Sequence, residues 1–439
     1  MTASAVEHQV SGEGETPPSP SATWRTWARI GLQSFGGPAA QIALMHRVLV
    51  EERRWLDESQ FTRALGFCML LPGPEAMQLA TYAGWRLGGV AGGLSAGLWF
   101  VMPGAVVISA LAALYVAFGH LPALAAAFLG IKAAVLVLVL QAVVRLSHRA
   151  LRQTWHRVLA AAAFVALSAT ALPFPAVVIG AGAIGAMANR SRAPDDGPRP
   201  SGGSWRASVT AILAWGVAWF GPLLALRGWL GPDHILVRLG AFFSKLAVVT
   251  FGGAYAVLAY MAQDVVVRHG WLNARQMVDA LGLAETTPGP LILVNLFVAF
   301  VAGTNALPLQ GLGIGFAAAA VALWSTFIPC FLWIFAGAPH VERLASEPRL
   351  RGALEGITAA VVGVIASLGF WFAVHVLFAA TREGRAGILR WTLPDPATFD
   401  LRAVVLAVVC AILLLRLRWS VHRTLAVSAL MAWGLFLLQ

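Results

Sequence analysis

Long apolar segments separated by short polar ones run along the whole chain. Segments long enough to cross a membrane include Ala123–Val144, Ala207–Trp229 and Gly311–Phe335. The stretch Val158–Ala188 is too long for one crossing, and Leu-Pro-Phe-Pro at 172–175 divides it into two predicted short helices. The sequence lacks the alternating segments of about ten residues that form transmembrane barrels. The pattern therefore predicts an all-α polytopic membrane protein.

The chain also contains an internal repeat. The stretch Phe35–Gly84 recurs without a gap, 216 residues later, as Phe251–Phe300. The shared motifs are Phe-Gly-Gly at 35 and 251, Trp-Leu at 55 and 271, Leu-Gly at 65 and 281, and Pro-Gly-Pro at 72 and 288. Gly130–Ala134 resembles Gly356–Ala360 at an offset of 226. Two homologous halves are therefore expected.

We predict five units along the chain. The first residues are rich in Pro and Ser and lack the apolar core of a signal peptide, which indicates a disordered tail. The units are a disordered cytoplasmic tail (1–24), the first repeat (25–188), a cytoplasmic linker (189–206), a linking transmembrane helix (207–234) and the second repeat (235–439).

The placement of arginine predicts opposite orientations for the two halves. In the first half the basic segments are Arg145–Arg157 and Asn189–Arg206, which the positive-inside rule assigns to the cytoplasm. In the second half they are Pro339–Arg351 and Arg416–Arg423, whose first-half counterparts carry no Lys or Arg. The unpaired linking helix would produce this inversion. We therefore expect an inverted-topology repeat in the bacterial cytoplasmic (inner) membrane, with the N-terminus cytoplasmic.

The number of crossings depends on two segments in the first half. If Ala28–Met45 and Phe61–Ala83 both span, the charged segment Arg47–Arg63 lies outside, against the positive-inside rule. If such segments are re-entrant hairpins instead, the total falls from about 13 crossings to about 9. The sequence leaves both alternatives open, with helices broken by Gly and Pro in either case.

Composition fits a membrane protein and limits the possible chemistry. The chain is 59% hydrophobic and only 12% charged, against roughly 25% charged in soluble domains. Its net charge of +11 would attract anions, although basic cytoplasmic loops explain it as well. The three cysteines lie far apart, and no His or Cys spacing indicates a metal site. We expect no cofactor, no metal and no nucleic-acid partner.

The first candidate feature is a Pro-Gly-Pro break inside an apolar segment of each half: Pro72-Gly73-Pro74 and Pro288-Gly289-Pro290. Two prolines remove backbone donors and end the helix. Broken backbone at membrane depth is tolerated where it is buried or lines a cavity. The helix that follows begins with free N–H groups and a positive dipole end, which bind anions. A packing kink is the alternative interpretation.

The second candidate feature is a glycine pair preceded by a basic residue: Arg29 with Phe35-Gly36-Gly37, and Lys245 with Phe251-Gly252-Gly253. Lys245 and Lys132 are the only lysines in the chain, and both lie in apolar segments. Basic side chains inside a membrane are costly and usually functional. They would partly neutralise a bound anion, unless they extend to the interface instead.

The third candidate feature is a set of polar side chains beside the Pro-Gly-Pro breaks. Glu75 follows Pro74 directly and Glu285 precedes Pro288 by three residues, so either carboxylate could carry a coupled proton. Glu75 could instead stabilise a helix N-terminus. Gln78 and Asn295 lie about one turn further on and could donate hydrogen bonds to substrate or serve packing alone.

These motifs resemble the signatures of the chromate ion transporter (CHR) family in its long two-domain form. The matching segments are Ser34–Pro38, Leu71–Tyr82, Thr250–Gly253 and Ala284–Pro290, and the resemblance covers about residues 25–439. It implies export of chromate from the bacterial cytoplasm, driven by the proton-motive force, with chromate resistance and competition by sulfate. One departure is Ala254-Tyr255, where many members have Gly-His. It puts in doubt any role of that His.

Our hypothesis is a secondary transporter of tetrahedral oxyanions in the lipid bilayer, not an enzyme. The anion would bind between the two glycine pairs and the two Pro-Gly-Pro breaks, and Glu75 or Glu285 would carry the proton while the halves rock. Sulfate or another dianion as cargo and a passive anion channel are the alternatives. A membrane chromate reductase would need a flavin, a haem or paired thiols. A homodimer is possible.

Overall fold

The structure is a computed structural model that describes residues 20–35, 37–119, 121–170, 172–188, 205–249, 251, 254–340, 348–387 and 389–438. Of the predicted site residues, Gly36, Gly252 and Gly253 lie outside the described residues. So do residues 1–19 of the predicted tail and residues 189–204 of the predicted linker.

The described chain is almost entirely helical. Its first helices are α1 (Pro20–Gln33), α2 (Gly37–His46, continued by a π-turn Arg47–Glu52), α3 (Glu58–Leu70), α4 (Glu75–Phe118), α5 (Pro122–Ala150), α6 (Thr154–Ala169), α7 (Phe174–Ala188) and α8 (Trp205–Leu230). The next are α9 (Ile235–Val249), α10 (Ala254–Gln263, continued by a π-turn Asp264–Arg268), α11 (Ala274–Thr286), α12 (Val294–Ala306) and α13 (Gly311–Gly337). The last are α14 (Pro348–Leu377), α15 (Leu401–Ala411, continued by a π-turn Ile412–Arg416) and α16 (Val421–Leu437).

Five helical segments are long and apolar enough to cross a membrane: Glu75–Phe118, Pro122–Ala150, Trp205–Leu230, Pro308–His340 and Pro348–Leu377. Shorter apolar helices accompany them at Thr154–Ala169, Phe174–Ala188, Leu291–Ala306 and Val421–Leu437. The predicted all-α polytopic membrane fold is confirmed. The sequence analysis did not anticipate a small antiparallel hairpin, β1 (Thr381–Ala386) and β2 (Leu389–Pro394), between α14 and α15.

Elements in the first half have counterparts about 216 residues later. Helices α3 and α11 begin at Glu58 and Ala274, and each carries a capping box, made by Asp57 in one case and Asn273 in the other. Helices α2 and α10 both pass into a π-turn. The residue two positions after each π-turn has a left-handed backbone, with φ of +53° at Arg54 and +61° at Gly270. Helix α8 separates the two sets.

The segment Glu75–Phe118 is two antiparallel helices rather than one long one. Gly88 and Gly89 have non-helical dihedral angles, and across them Gly84 lies against Gly92. Helices α12 and α13 form the equivalent hairpin, with Gly303 packed on Ala318. Glycine at these contacts lets the two backbones approach closely.

The Pro-Gly-Pro breaks are the tips of two further hairpins. In the first half, the rings of Phe67 and Tyr82 are 5.9 Å apart, whereas a continuous helix would separate them by about 22 Å. In the second half, Asn305 Nδ2 donates to Trp271 O at 2.9 Å, which joins the far ends of the two arms. The chain therefore reverses at each break.

The chain also reverses between α1 and α2 and between α9 and α10, whose connections include the described residues Phe35 and Phe251. Arg29 on α1 contacts Glu52 at the end of the π-turn, at 2.8 Å. In the second half, Lys245 Nζ on α9 lies 5.6 Å from the centroid of the Tyr260 ring on α10. Each half therefore contains two hairpins, one with Phe35 or Phe251 in its connection and one with a Pro-Gly-Pro motif at its tip.

The arms of these hairpins are shorter than a bilayer. Helices α3 and α11 have 13 residues each, about 20 Å, against about 30 Å of hydrocarbon. This length favours the re-entrant alternative, which leaves about nine crossings. It also returns the charged segment 47–57 to the side of the N-terminus, as the positive-inside rule prefers.

The two halves are interlocked through their later helices. Gly363 on α14 packs on the backbone of Ala160 on α6, and Gly185 on α7 packs on Gly352. Gly130 on α5 packs on the backbone of Ser428 on α16. Helix α12, buried from Val294 to Thr304, lies at the centre. This framework holds the hairpin tips in the interior.

Candidate functional site

Each Pro-Gly-Pro tip depends on its glycine and is followed at once by a new helix. The φ angles are +117° at Gly73 and +87° at Gly289, a region that side chains disfavour. In the first half, α4 begins directly after Pro74. In the second half, a 3₁₀ turn, Leu291–Leu293, leads into α12. The first N–H groups of these helices have no partner within the helix and are available to an anion.

The tips of opposite halves touch. The N–H of Gly289 donates to the carbonyl of Ser34 at 2.7 Å, and Gln41 Nε2 donates to the carbonyl of Gly289 at 2.6 Å. Ser34 and Gln41 flank the first Phe-Gly-Gly motif and are both buried. Gly104 lies so close to the carbonyl of Pro288 that no Cβ fits between them. The structure thus brings Ser34 and Gln41 of the first half together with the second Pro-Gly-Pro motif.

Helix α13 connects the two Pro-Gly-Pro helices. Asn295 Nδ2 donates to Thr326 Oγ1 at 3.1 Å, and Cys330, one turn further along α13, lies beside Gly73. A Cβ on Gly73 would be 3.1 Å from Cys330 Sγ and 3.0 Å from Gln78 Nε2. Both predicted amides, Gln78 and Asn295, are therefore fully buried in one continuous polar strip.

This region has unused hydrogen-bonding capacity. Three buried amide oxygens of this region have no hydrogen-bond partner among the described residues: Gln41 Oε1, Gln78 Oε1 and Asn295 Oδ1. Buried polar atoms in proteins are normally paired with protein or with ordered water. Gln78 Nε2 is paired, since it donates to the carbonyl of Pro72 at 2.7 Å. The strip is therefore polar enough to receive water or a polar ligand.

In the part of the chain that the structure describes, the two predicted cations make their contacts away from the Pro-Gly-Pro tips. The Arg29 side chain is exposed, and its charge is met by Glu52 at 2.8 Å. Lys245 is also exposed and lies over the Tyr260 ring. Phe35 packs edge-on against His422, with ring centroids 4.8 Å apart, and Phe251 is partly buried. A role for these residues in binding stays a prediction.

The two predicted carboxylates lie on different sides of their tips. Glu75 is the first residue of α4, partly buried, and it forms no hydrogen bond or ion pair with any residue that the structure describes. Glu285 is 7% exposed and lies in the last turn of α11, at the negative end of that helix dipole. Their part in proton coupling stays a prediction.

Comparison with known proteins identifies the family. The family described as "Chromate transporter" matches residues 22–186 and again 237–435. The chain belongs to this family. The resemblance found in the sequence is therefore confirmed, and the chain is a multi-pass membrane protein of a transporter family.

Curated members of the chromate transporter family align over most of the chain. A chromate transport protein from Pseudomonas aeruginosa is 32% identical over 356 residues, covering 80% of this chain and 81% of the relative. One from Cupriavidus metallidurans is 30% identical over 344 residues, covering 77% and 78%. A probable chromate transport protein from Synechococcus elongatus is 28% identical, covering 77% and 80%. No solved structure matches the chain.

Sequence reasoning missed a buried ion pair between the halves. Lys132 Nζ lies 2.7 Å from Asp279 Oδ1, and Tyr115 OH donates to Asp279 Oδ2 at 2.7 Å. Lys132 was predicted as an intramembrane charge, but without a partner. The signal for Asp279 was its place between apolar neighbours, because a carboxylate in such a segment is rarely incidental. Gln41 gave a weaker signal of the same kind.

A second charged group lies outside the spanning segments, where α2 gives way to α3. His46 contacts Glu58 at 2.7 Å and Glu51 at 3.1 Å. The hydrogen bond to Glu58 raises the pKa of the His46 imidazole, although partial burial opposes this. The hydroxyl of Ser59 donates to Asp57 and lowers the pKa of that carboxyl. These contacts fix the base of the first-half hairpins.

Proposed function

We propose that this chain is a secondary active transporter that exports chromate across the cytoplasmic membrane and thereby confers chromate resistance. The observation that carries the proposal is the contact of Gly289 with Ser34 and Gln41, which joins hairpin tips from the two halves. Broken helices that meet between repeats are the usual location of substrate sites in secondary transporters. The cargo is inferred from the relatives, which are named as chromate transport proteins.

Chromate would bind at the tips through backbone donors. A tetrahedral dianion presents four oxygens, and the helix starts after Pro74 and Pro290 offer N–H groups and a positive dipole end. The glycines of both motifs allow oxygen atoms to approach the backbone closely. Gln78 and Asn295 would each add the amide N–H that is not used in the bonds to Pro72 and Thr326. Arg29 and Lys245, on the arms that lead to the tips, would offset the charge of the dianion.

Export of chromate would be coupled to the inward movement of protons. Glu75 or Glu285 would take up a proton beside the anion site, so that the charge near the anion alternates during the cycle. Rocking of one half against the other would expose the tips to each side in turn. The contacts across the halves at Gly289 would be remade in each state. No catalytic step is part of the proposal.

The test is chromate uptake into inside-out membrane vesicles, with and without an imposed proton gradient and with sulfate as competitor. Accumulation that requires the gradient is the expected result. Gradient-driven movement of sulfate alone would keep the mechanism and change the cargo. Equilibration without dependence on the gradient would indicate a passive channel, and movement of neither anion would refute the proposal.

A Lys245→Ala variant refines this test. It should accumulate chromate several-fold more slowly than the unmodified chain, because a cation on α9, the helix that precedes the second Phe-Gly-Gly motif, is lost. Arg227→Ala on α8 is the matched control, because Arg227 is also an exposed cation in a predicted membrane helix. A folded Lys245→Ala protein that transports as well as this control would remove Lys245 from the site.

A further inference from the structure

A second polar cavity lies away from the hairpin tips. It has a volume of about 510 Å³ and is bounded by the end of α4 and the start of α5 on one side, and by α11, α14 and α15 on the other. Gly119 and Pro122 border it. Both belong to the segment 118–122, the first-half counterpart of Pro339–Arg351, which carries no Lys or Arg and which the arginine pattern therefore assigns to the outside. The cavity therefore lies between the two halves, at the end where cargo would leave.

The charged lining of this cavity is mixed, with a cationic excess. Three basic side chains (Lys132, Arg275 and Arg402) and two acidic ones (Asp279 and Asp400) line it. Arg402 Nε lies 3.2 Å from Asp400 Oδ1, and Lys132 is held by Asp279. Arg275 is exposed and has no ion-pair partner in the described part of the chain. Anions entering the cavity would meet a net positive wall.

The innermost pair is the best shielded from solvent. The side chains of Lys132 and Asp279 are 14% and 5% exposed, whereas that of Arg402 is 50% exposed. Desolvating two charges is expensive, and removing one partner leaves the other uncompensated. Tyr115 OH also donates to Asp279, so the carboxylate keeps one hydrogen bond when Lys132 turns elsewhere. Lys132 is thus the cation that could leave Asp279 and pair with an incoming anion.

The Lys132–Asp279 ion pair also joins two elements that would move relative to each other during transport. Lys132 belongs to α5 of the first half, and Asp279 belongs to α11, the arm that precedes the second Pro-Gly-Pro motif. Asp279 precedes Pro288 by nine residues, about 13 Å along a helix. Beside the pair, Ile131 packs directly on Gly282. A change in the partner of Lys132 would therefore act on the hairpin that carries the tip.

We propose that this cavity is a separate binding station for the oxyanion, in which Lys132 binds the anion and Asp279 competes for Lys132. When the station is empty, Lys132 and Asp279 form an ion pair that joins the two halves. When a tetrahedral dianion occupies the station, Lys132 forms an ion pair with the anion, and Asp279 keeps only its hydrogen bond from Tyr115. The ion pair between the two halves is then broken. The class of ligand rests on the proposed function. The cavity, the competition by Asp279 and the loss of the ion pair between the halves go beyond it.

The test measures sulfate binding to the purified full-length protein in lipid nanodiscs by calorimetry. Asp279→Asn should bind sulfate about tenfold or more tighter, because the internal competitor is gone. Lys132→Met should bind about tenfold or more weakly, because the cation is lost and Asp279 repels the anion. The double variant Lys132→Met/Asp279→Asn should still bind sulfate more weakly than the unmodified chain, because it lacks the cation that holds the anion. Arg227→Gln, an exposed cation on α8, should be unchanged.

A purely structural ion pair gives a different pattern. Both single variants would then weaken binding, and the neutral double variant would recover much of it, since no charge is left unpaired. That pattern would overturn the inference. Equal affinities across the whole series would overturn it as well.

A local readout separates this station from the tips. Ala126 lines the cavity, and the three native cysteines are buried, so Ala126→Cys offers one accessible thiol for a charged, water-soluble reagent. Sulfate should slow its labelling several-fold, and Lys132→Met should abolish that protection. If chromate is transported in vesicles but sulfate gives no protection, only this inference fails. If neither transport nor binding occurs, the proposed function fails with it.

Discussion

Gly289 is a residue at which hydrogen bonds join the two halves. Its N–H and its carbonyl are both engaged by the first half, through Ser34 and Gln41. Its φ of +87° would cost another residue about 1–2 kcal/mol, and a Cβ there would lie 2.8 Å from Leu293 Cδ1. The position therefore disfavours other residues mainly through its backbone conformation, since Leu293 Cδ1 is the end of a flexible side chain.

We expect Gly289→Ala to lose most chromate uptake in vesicles while the protein still inserts and folds. The matched control is Gly434→Ala on α16, where a Cβ meets nothing within 4 Å and φ is not positive. Uptake by the control should equal that of the unmodified chain. Equal uptake by both variants would show that the tip tolerates a side chain and would weaken the proposed site.

Gln41 tests the contact between the tips by its hydrogen bond alone. Gln41→Met keeps the volume of the side chain but leaves the buried carbonyl of Gly289 unpaired, at a cost of about 1–3 kcal/mol. We expect a lower thermal unfolding temperature and slower chromate uptake. Gln33→Met, at an exposed position on α1 of the same hairpin, should change neither. A Gln41→Met protein as stable and active as this control would contradict the contact.

At the scale of the element, the sequence predicts the breaks better than the contacts. Pro-Gly-Pro must interrupt a helix because two donors are missing, and both breaks occur at the predicted places. Whether the chain kinks or reverses there depends on how the arms pack, for example Phe67 on Tyr82. The bond from Gln41 to Gly289 joins residues 248 positions apart, a distance at which no local pattern acts.

The partners of charged side chains are likewise not predictable from local sequence. The sequence places Arg29 and Lys132 in apolar segments, and the structure gives each a carboxylate partner from a distant element, Glu52 and Asp279. Charge pairing follows from tertiary packing, so an intramembrane cation alone does not reveal whether its charge is free for substrate. Candidate cations become informative only once their partners are known.

The junction between α2 and α3 gives a prediction about pH. Because Glu58 raises the pKa of His46, the folded state binds a proton more tightly than the unfolded state. The resulting stabilisation is complete below about pH 6.5, the unfolded value, and is lost as pH rises through the raised folded value. Since Glu51 and Glu58 are 60% and 71% exposed, we expect less than about 1 kcal/mol.

The measurement compares the thermal stability of His46→Gln with that of the unmodified chain at pH 5.5 and at pH 8.5. The unmodified chain should have its advantage at the lower pH and lose it at the higher. Glu58→Gln should abolish most of this dependence. An advantage that is the same at both pH values would show that the imidazolium does not stabilise this junction.

At the scale of the whole molecule, the two halves share a plan but not their charges. Glu75 corresponds by the 216-residue offset to Leu291, and Glu285 corresponds to Met69. Each Pro-Gly-Pro tip therefore has one acid, after the break in the first half and before it in the second. An exact repeat would place equivalent acids at both tips. This asymmetry makes the two candidate proton carriers separable by single substitutions.

We expect Glu75 to be the carrier, because it starts a helix at the tip and no described residue neutralises it. Glu75→Gln should abolish accumulation of chromate driven by a proton gradient but retain exchange of chromate for chromate across the vesicle membrane. Exchange needs the anion site and the rocking of the halves, whereas accumulation also needs the proton. Glu285→Gln is the matched control and should keep both activities. If the outcomes are reversed, Glu285 is the carrier; if neither substitution uncouples accumulation from exchange, proton coupling resides in other residues.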